Sequence, residues 1–278
     1  MRLSVCNEIF EGMSIERQFE TIADAGYHAV ELAPYTLGRP VEEIDRAERR
    51  RIRDAARVRG LDIVAMHWLL AGTTGLHVAS PDPEVRRRTT QHLVELSRFC
   101  QDVGGRYLVF GSPAQRSTPD GMSRREARRL AVDTVRRWAE ASAGLDVTIC
   151  LESLPEDETD FMTTVDEALS VVAEVRAENT RVVLDVKSMS AEGAPLPEVI
   201  RRAAGSVAYV QANDANRGGP GFGDTDFVAV FRALASIGYD GVVSVEAFDV
   251  SAGAEYVARE SNAYLRRSAA EAGVPIDD

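Results

Sequence analysis

Glu152 closes the run VTICLE, Asp185 closes RVVLD, Gln211 follows SVAYV and Glu246 follows GVVSV. Each is a single oxygen-bearing side chain at the end of a β-branched, strand-like stretch. Three carboxylates and an amide gathered at one place repel one another unless a cation lies among them. Oxygen donors of this kind suit a hard divalent ion, Mg²⁺ or Mn²⁺ with Co²⁺ as a further candidate, rather than a thiolate-caged Zn²⁺. In such a set Gln211 offers a neutral hard oxygen without adding a fourth negative charge. Its other reading is a hydrogen bond to the backbone of its own loop. Asn7, Glu31 and His67 end three earlier apolar runs in the same way.

The segment QANDANRGGPGFGDTDF, residues 211–227, raises a second possibility. Gln211, Asn213, Asp214 and Arg217 are all able to hold a ligand, and four glycines and a proline shape the backbone around them. The glycines suit a phosphate cradle or, equally, a tight turn, since the spacing is not that of a P-loop. Arg217 can fork onto a hydroxyl or phosphate oxygen. Asp226 is placed to cap the next helix.

Strand-like runs at 2–6, 28–32, 62–68, 106–111, 147–152, 181–186, 206–212 and 241–248 alternate with helix-period segments such as 14–26, 82–104 and 123–144. Ser14 and Ser123 stand at helix starts, the latter in a capping-box spacing with Glu126. Gly26, Gly104 and Gly144 stand just past helix ends, where a left-handed backbone favours glycine. A doubly wound sheet accommodates eight strand–helix units, but a closed (β/α)₈ barrel fits the length and even spacing better. The expectation is one domain over residues 1–278, with polar strand ends on one rim and a loosely held GVPIDD tail.

Composition narrows the partners. The chain carries 44 acidic and 32 basic residues, a formal charge of −12, which argues against nucleic acid. The RRR runs at 49–51 and 86–88 read as solvated helix faces. Cys6 and Cys150 lie within apolar runs and read as small buried hydrophobes, and no metal-type cysteine spacing occurs. No run reaches 18 apolar residues and no signal-type N-terminus is seen, so a reduced cytoplasmic protein without a membrane segment is expected.

With MHWLL (66–70), LESLPEDETDF (151–161), LDVKSM (184–189), the 211–227 loop and VSVEAF (243–248) in view, the chain resembles the xylose isomerase-like TIM-barrel superfamily. The similarity is to its sugar (phosphate) isomerase/epimerase branch, which includes D-tagatose 3-epimerase-like and hydroxypyruvate isomerase-like enzymes. The resemblance implies that Glu152, Asp185, Gln211 and Glu246 bind one divalent ion. It implies further that Glu158 and Arg217 contact substrate and that His67 lines the pocket. Many members carry histidine where Gln211 stands; hydroxypyruvate isomerase-like members carry glutamine. The chain departs from the family pattern Asp-x-x-His in its sixth strand, where Ser188 replaces the histidine that orients a substrate carbonyl. Lys187 beside it either turns inward to take that role or lies solvated on the rim.

The implied chemistry is proton transfer next to the carbonyl of a small sugar or keto-sugar through an enediolate, with Glu152 and Glu246 as acid and base. Isomerisation and epimerisation remain open, and a metal-dependent lyase or hydratase is the alternative. A non-catalytic sugar-binding barrel and an endonuclease IV-like nuclease follow behind; the latter needs a histidine-rich site, and the chain has four histidines. Family members are often oligomeric, so a homo-oligomer is expected.

Overall fold

The computed structural model describes residues 1–277. Eight parallel strands pair in chain order and β1 pairs with β8, closing the barrel. They are β1 Arg2–Cys6, β2 Ala29–Leu32, β3 Asp62–Met66, β4 Tyr107–Phe110, β5 Thr148–Glu152, β6 Thr180–Asp185, β7 Val207–Ala212 and β8 Val242–Val245. Around them run α1 Ile15–Asp24, α2 Arg46–Val58, α3 Pro83–Val103, α4 Arg124–Ala141, α5 Val165–Val175, α6 Val186–Ser190, α7 Leu196–Arg202, α8 Phe227–Ser236 and α9 Ala254–Ala272. The expected strand runs match these elements to within three residues at each end. Helix starts follow the expected capping chemistry: Ser14 Oγ accepts from Arg17 N (3.3 Å), Ser123 Oγ from Glu126 N (3.2 Å) and Asp226 Oδ1 from Ala229 N (3.0 Å).

Side-chain alternation explains how the strands present a site. Ala65, Val109, Cys150, Val183, Tyr209 and Val242 form a buried cluster inside the barrel, separate from the larger core between strands and helices. Because inward residues recur every second position, the next inward positions are His67, Gly111, Glu152, Asp185, Gln211 and, after Ser244, Glu246. The top layer of the barrel is therefore polar by register, above a layer in which Ala65, Val109, Cys150 and Val183 are joined by the polar groups of Tyr209, Ser244 and Glu31. Register also sets lateral neighbours: Asp185 pairs with Gln211, and Gln211 with Ser244.

Three expectations are corrected. Gly144 does not occupy the left-handed region; α4 ends earlier, at Ala141. Arg49 is buried rather than solvated, because its guanidinium donates to Ile44 O and Val41 O and pairs with Glu95 (2.6 Å) and Asp102 (3.0 Å). The tail is tied down as far as residue 277. Met1 N donates to Pro275 O (3.0 Å) and Asp277 N to Met1 O (2.8 Å), so the two termini fasten each other at the bottom of the barrel.

Candidate active site

At the C-terminal mouth, Glu152, Asp185, Gln211 and Glu246 stand at the ends of β5 to β8 on one rim, all less than a tenth exposed, although the three carboxylates do not each bring an oxygen within 4.8 Å of the others. Asn213 joins them. Its Nδ2 donates to Asp185 Oδ2 (2.6 Å) and Glu246 Oε2 (3.0 Å), and its Oδ1 accepts from Lys187 N (2.7 Å). Asp185 also caps α6, accepting from Ser188 N at 2.7 Å. Burial raises the Glu152 carboxyl well above its ordinary range, with Asp185 and Glu246 adding to the effect and Arg116 opposing it. Glu246 is raised likewise by burial, then by Asp185 and Glu31. Burial is the larger cause for both carboxyls, and their mutual repulsion adds to it; a cation would relieve that repulsion.

Two further observations fit a divalent ion held by these four residues. The Gln211 amide nitrogen lies 3.3 Å from Glu31 Oε1 and 3.1 Å from His67 Nδ1, while its Oε1 is buried without a hydrogen-bond partner. A buried orphan carbonyl oxygen beside carboxylates is a donor suited to a cation. Gly111, the inward residue of β4, supplies room: a Cβ there would stand 2.1 Å from Glu152 Oε2. Only glycine leaves the carboxylate where it is.

The residues expected to meet substrate lie on one side of the mouth. His67, Glu158, Lys187 and Phe248 line a single cavity with Glu152 and Glu246. Lys187 is buried and turned inward, on the first turn of α6 rather than on a continuing strand. Its Nζ pairs with Glu158 Oε1 at 2.7 Å and lies 4.9 Å from the Phe248 ring centroid. Burial lowers its pKa, but Asp185 and Glu158 outweigh that and raise it, so the ammonium is held charged. Arg217 meets Glu158 at 3.3 Å and lies over the same Phe248 ring at 4.6 Å. Ser188 Oγ is buried and unpartnered. Of the four histidines, His67 alone reaches this cavity; His92 pairs with Glu42 on the outer face and His28 precedes β2 at the opposite end.

The 211–227 loop is not a phosphate cradle. Its amides close on the chain's own Asp214, whose Oδ2 accepts from Gly221 N and Gly223 N (3.0 Å each) and whose Oδ1 accepts from Thr225 N (2.9 Å). Glycine is required because a Cβ on Gly223 would lie 2.7 Å from Asp214 Cγ, and one on Gly219 2.5 Å from Ser261 Oγ. The loop is thus a rigid collar that places Asn213 and Arg217. Asn7, read with the strand ends, serves as a brace: it bonds Gln18, Thr36 and Ala33 N instead of facing the cavity.

Several site residues escaped the sequence reading. Arg116 is fully buried, donating to Glu152 O (2.6 Å) and Met162 O (3.3 Å), and its positive charge lies behind the carboxylates. Burial lowers its pKa to about 10, still cationic at neutral pH. No local pattern marks it. Gly111 and Cys6 had a signal, since both lie two residues beyond an inward strand position, but neither side chain drew attention as a polar strand end. Trp68 and Ser112 adopt left-handed backbones beside the site, at φ 52° and 44°. Strain of this kind collects at functional sites.

An L-ribulose 3-epimerase of Mesorhizobium japonicum is 30% identical over 177 residues, 62% of this chain and 58% of that protein. A D-psicose 3-epimerase of Ruminiclostridium cellulolyticum is 29% identical over 177 residues, 62% and 59% respectively. The matched segment thus spans under two thirds of these relatives. A putative hydroxypyruvate isomerase of Streptomyces coelicolor is 26% identical, covering 81% of this chain and 82% of its own. Among solved structures, D-psicose 3-epimerase with D-tagatose from Clostridium cellulolyticum H10 superposes with a TM-score of 0.86 at 20% identity, over 96% of this chain and 99% of that one. Residues 19–268 match the family described as Xylose isomerase-like TIM barrel, and the chain belongs to that family.

Proposed function

We propose that the protein is a divalent-metal-dependent ketose epimerase that exchanges a proton at the carbon beside the substrate carbonyl, carbon 3. The carrying observation is the pair Glu152 and Glu246. They stand at the ends of β5 and β8 at one cavity, each buried and each with its carboxyl raised above the ordinary range by that burial. Such a carboxyl is suited to take or give a proton at working pH. A relative named L-ribulose 3-epimerase and others named D-psicose 3-epimerase favour epimerisation over isomerisation.

Glu152, Asp185, Gln211 and Glu246 are the residues to hold the ion, which when bound supplies Lewis acidity toward a carbonyl and its neighbouring hydroxyl. One glutamate removes the C–H proton, leaving the electron pair in an enediolate. The other returns a proton to the opposite face of the same carbon. No atom is lost and no redox partner is needed. Lys187 takes the place of the family histidine: its charged Nζ, fixed by Glu158 in the cavity that Glu152 and Glu246 line, is the donor for a developing oxyanion. Glu158 and Arg217 orient hydroxyls, and Arg116 offsets the negative charge behind Glu152.

The test is exchange in D₂O. With Mn²⁺ and L-ribulose or D-fructose, wild-type protein should incorporate deuterium at carbon 3 and form the epimer without change in mass beyond the label. Glu152→Gln and Glu246→Gln should each lower exchange by at least about 100-fold with an unchanged circular dichroism spectrum. Exchange at wild-type rate in either variant, or a dehydrated product, overturns the reading.

A further inference from the structure

Next to the central carboxylates lies a second cluster of different chemistry. Cys6 ends β1, Glu8 sits two residues later on a 3₁₀ turn, and His67 follows β3. One ligand atom from each lies within 4.8 Å of the others; among the described residues this is the only such group of three cysteine, histidine or acidic side chains. Cys6 Sγ contacts His67 Nε2 directly, and His67 Nε2 is 3.7 Å from Glu8 Oε2. Nitrogen and oxygen donors on one tetrahedral zinc, at bonds of about 2.0–2.2 Å, stand roughly 3.4 Å apart. We propose that Cys6 Sγ, His67 Nε2 and the Glu8 carboxylate form a second cation site, selective for a thiophilic divalent ion such as Zn²⁺.

The surroundings support an ion rather than a plain thiol–imidazole contact. The backbone amide of Glu8 points at Cys6 Sγ at 3.5 Å, a donor that favours a thiolate. Tyr35 OH donates to Glu8 Oε2 at 3.4 Å and so orients that carboxylate. With Nε2 on the ion, Nδ1 keeps the His67 proton and faces Glu246 Oε1 at 3.2 Å, so Gln211 Nε2, 3.1 Å from the same Nδ1, donates to Glu31 alone. This is the carboxylate–histidine–metal relay that fixes ring orientation in zinc sites. Thiolate and carboxylate together neutralise a divalent ion. The ligands differ in type from the central set, soft sulfur and imidazole against oxygen, so the two sites select different metals. The ion fastens β1 to β3 across β2 at the rim.

Cobalt is the probe. Chelator-stripped protein titrated with Co²⁺ should develop a near-ultraviolet thiolate-to-cobalt charge-transfer band. The band should vanish in Cys6→Ser and persist in Asp185→Asn, which disables only the central set. Zinc bound at saturation should be lower by one ion per chain in Cys6→Ser than in wild type. Glu8→Gln, which leaves the thiol in place, should weaken the cysteine-bound ion by more than about tenfold, the scale that even outer partners of a zinc ligand reach. No charge-transfer band, or a zinc count unchanged by Cys6→Ser, overturns the proposal. Because Asp185→Asn reports on the central site separately, failure here leaves the epimerase reading to its own test.

Discussion

Glycine at position 111 has a role that only its missing side chain fulfils. It holds the top inward place on β4, directly where Glu152 lays its carboxylate. Gly111→Ala should displace that carboxylate by about 1 Å or more, a shift that costs on the order of 100-fold in a positioned reaction. The expected outcome is a folded protein with Mn²⁺ affinity and deuterium exchange both sharply reduced, seen by calorimetric titration and the D₂O assay together. Normal metal binding in this variant would show that Glu152 does not need the space. The same scale explains Lys187, whose amine is fixed by Glu158 and faced by Phe248 in a position the family pattern leaves to the next residue.

Among elements, the 213–226 collar governs placement. Asp214 gathers three loop amides while the carbonyl of Arg217 accepts from Phe248 N (2.9 Å) and Asp249 N (3.0 Å), so the loop is bonded both to itself and to the end of β8. Asp214→Ala removes the acceptor and strands three N–H groups in a partly buried setting. Each unpaired donor costs about 1–3 kcal/mol, less where water enters. A loss of roughly 3 kcal/mol in urea unfolding is expected, with faster proteolysis within the loop and weaker substrate binding through the displaced Arg217. Unchanged stability would mean that the amides find other partners.

If the proposed central ion binds, the stability of the whole molecule is coupled to it. Buried Glu152, Asp185 and Glu246 repel one another in the metal-free barrel, and a ligand that binds only the folded state stabilises by mass action. Mn²⁺ at one hundred times its dissociation constant should add about 2.7 kcal/mol, which for a chain of this length corresponds to a midpoint rise of roughly 5–10 °C. Differential scanning calorimetry with and without chelator measures it. A midpoint indifferent to Mn²⁺ would exclude a central ion. Among the described residues no helix is long and apolar enough to cross a membrane.

What the amino-acid order determined by itself was everything governed by local periodicity. The two-residue repeat within each strand put Cys150 and Glu152, Val183 and Asp185, and Tyr209 and Gln211 on common faces, and the caps at Ser14, Ser123 and Asp226 announced helix starts. Only tertiary structure decided which charges meet. Arg49 looked like one of three solvated arginines until α2 packed on α3 and gave it Glu95 and Asp102. The glycine-rich loop looked open to phosphate until its amides closed on Asp214. Cys6 looked like core until the closed sheet carried it to His67, 61 residues away. Periodicity is a property of a few neighbouring residues, whereas neutralising a charge depends on partners that barrel closure brings from anywhere in the chain.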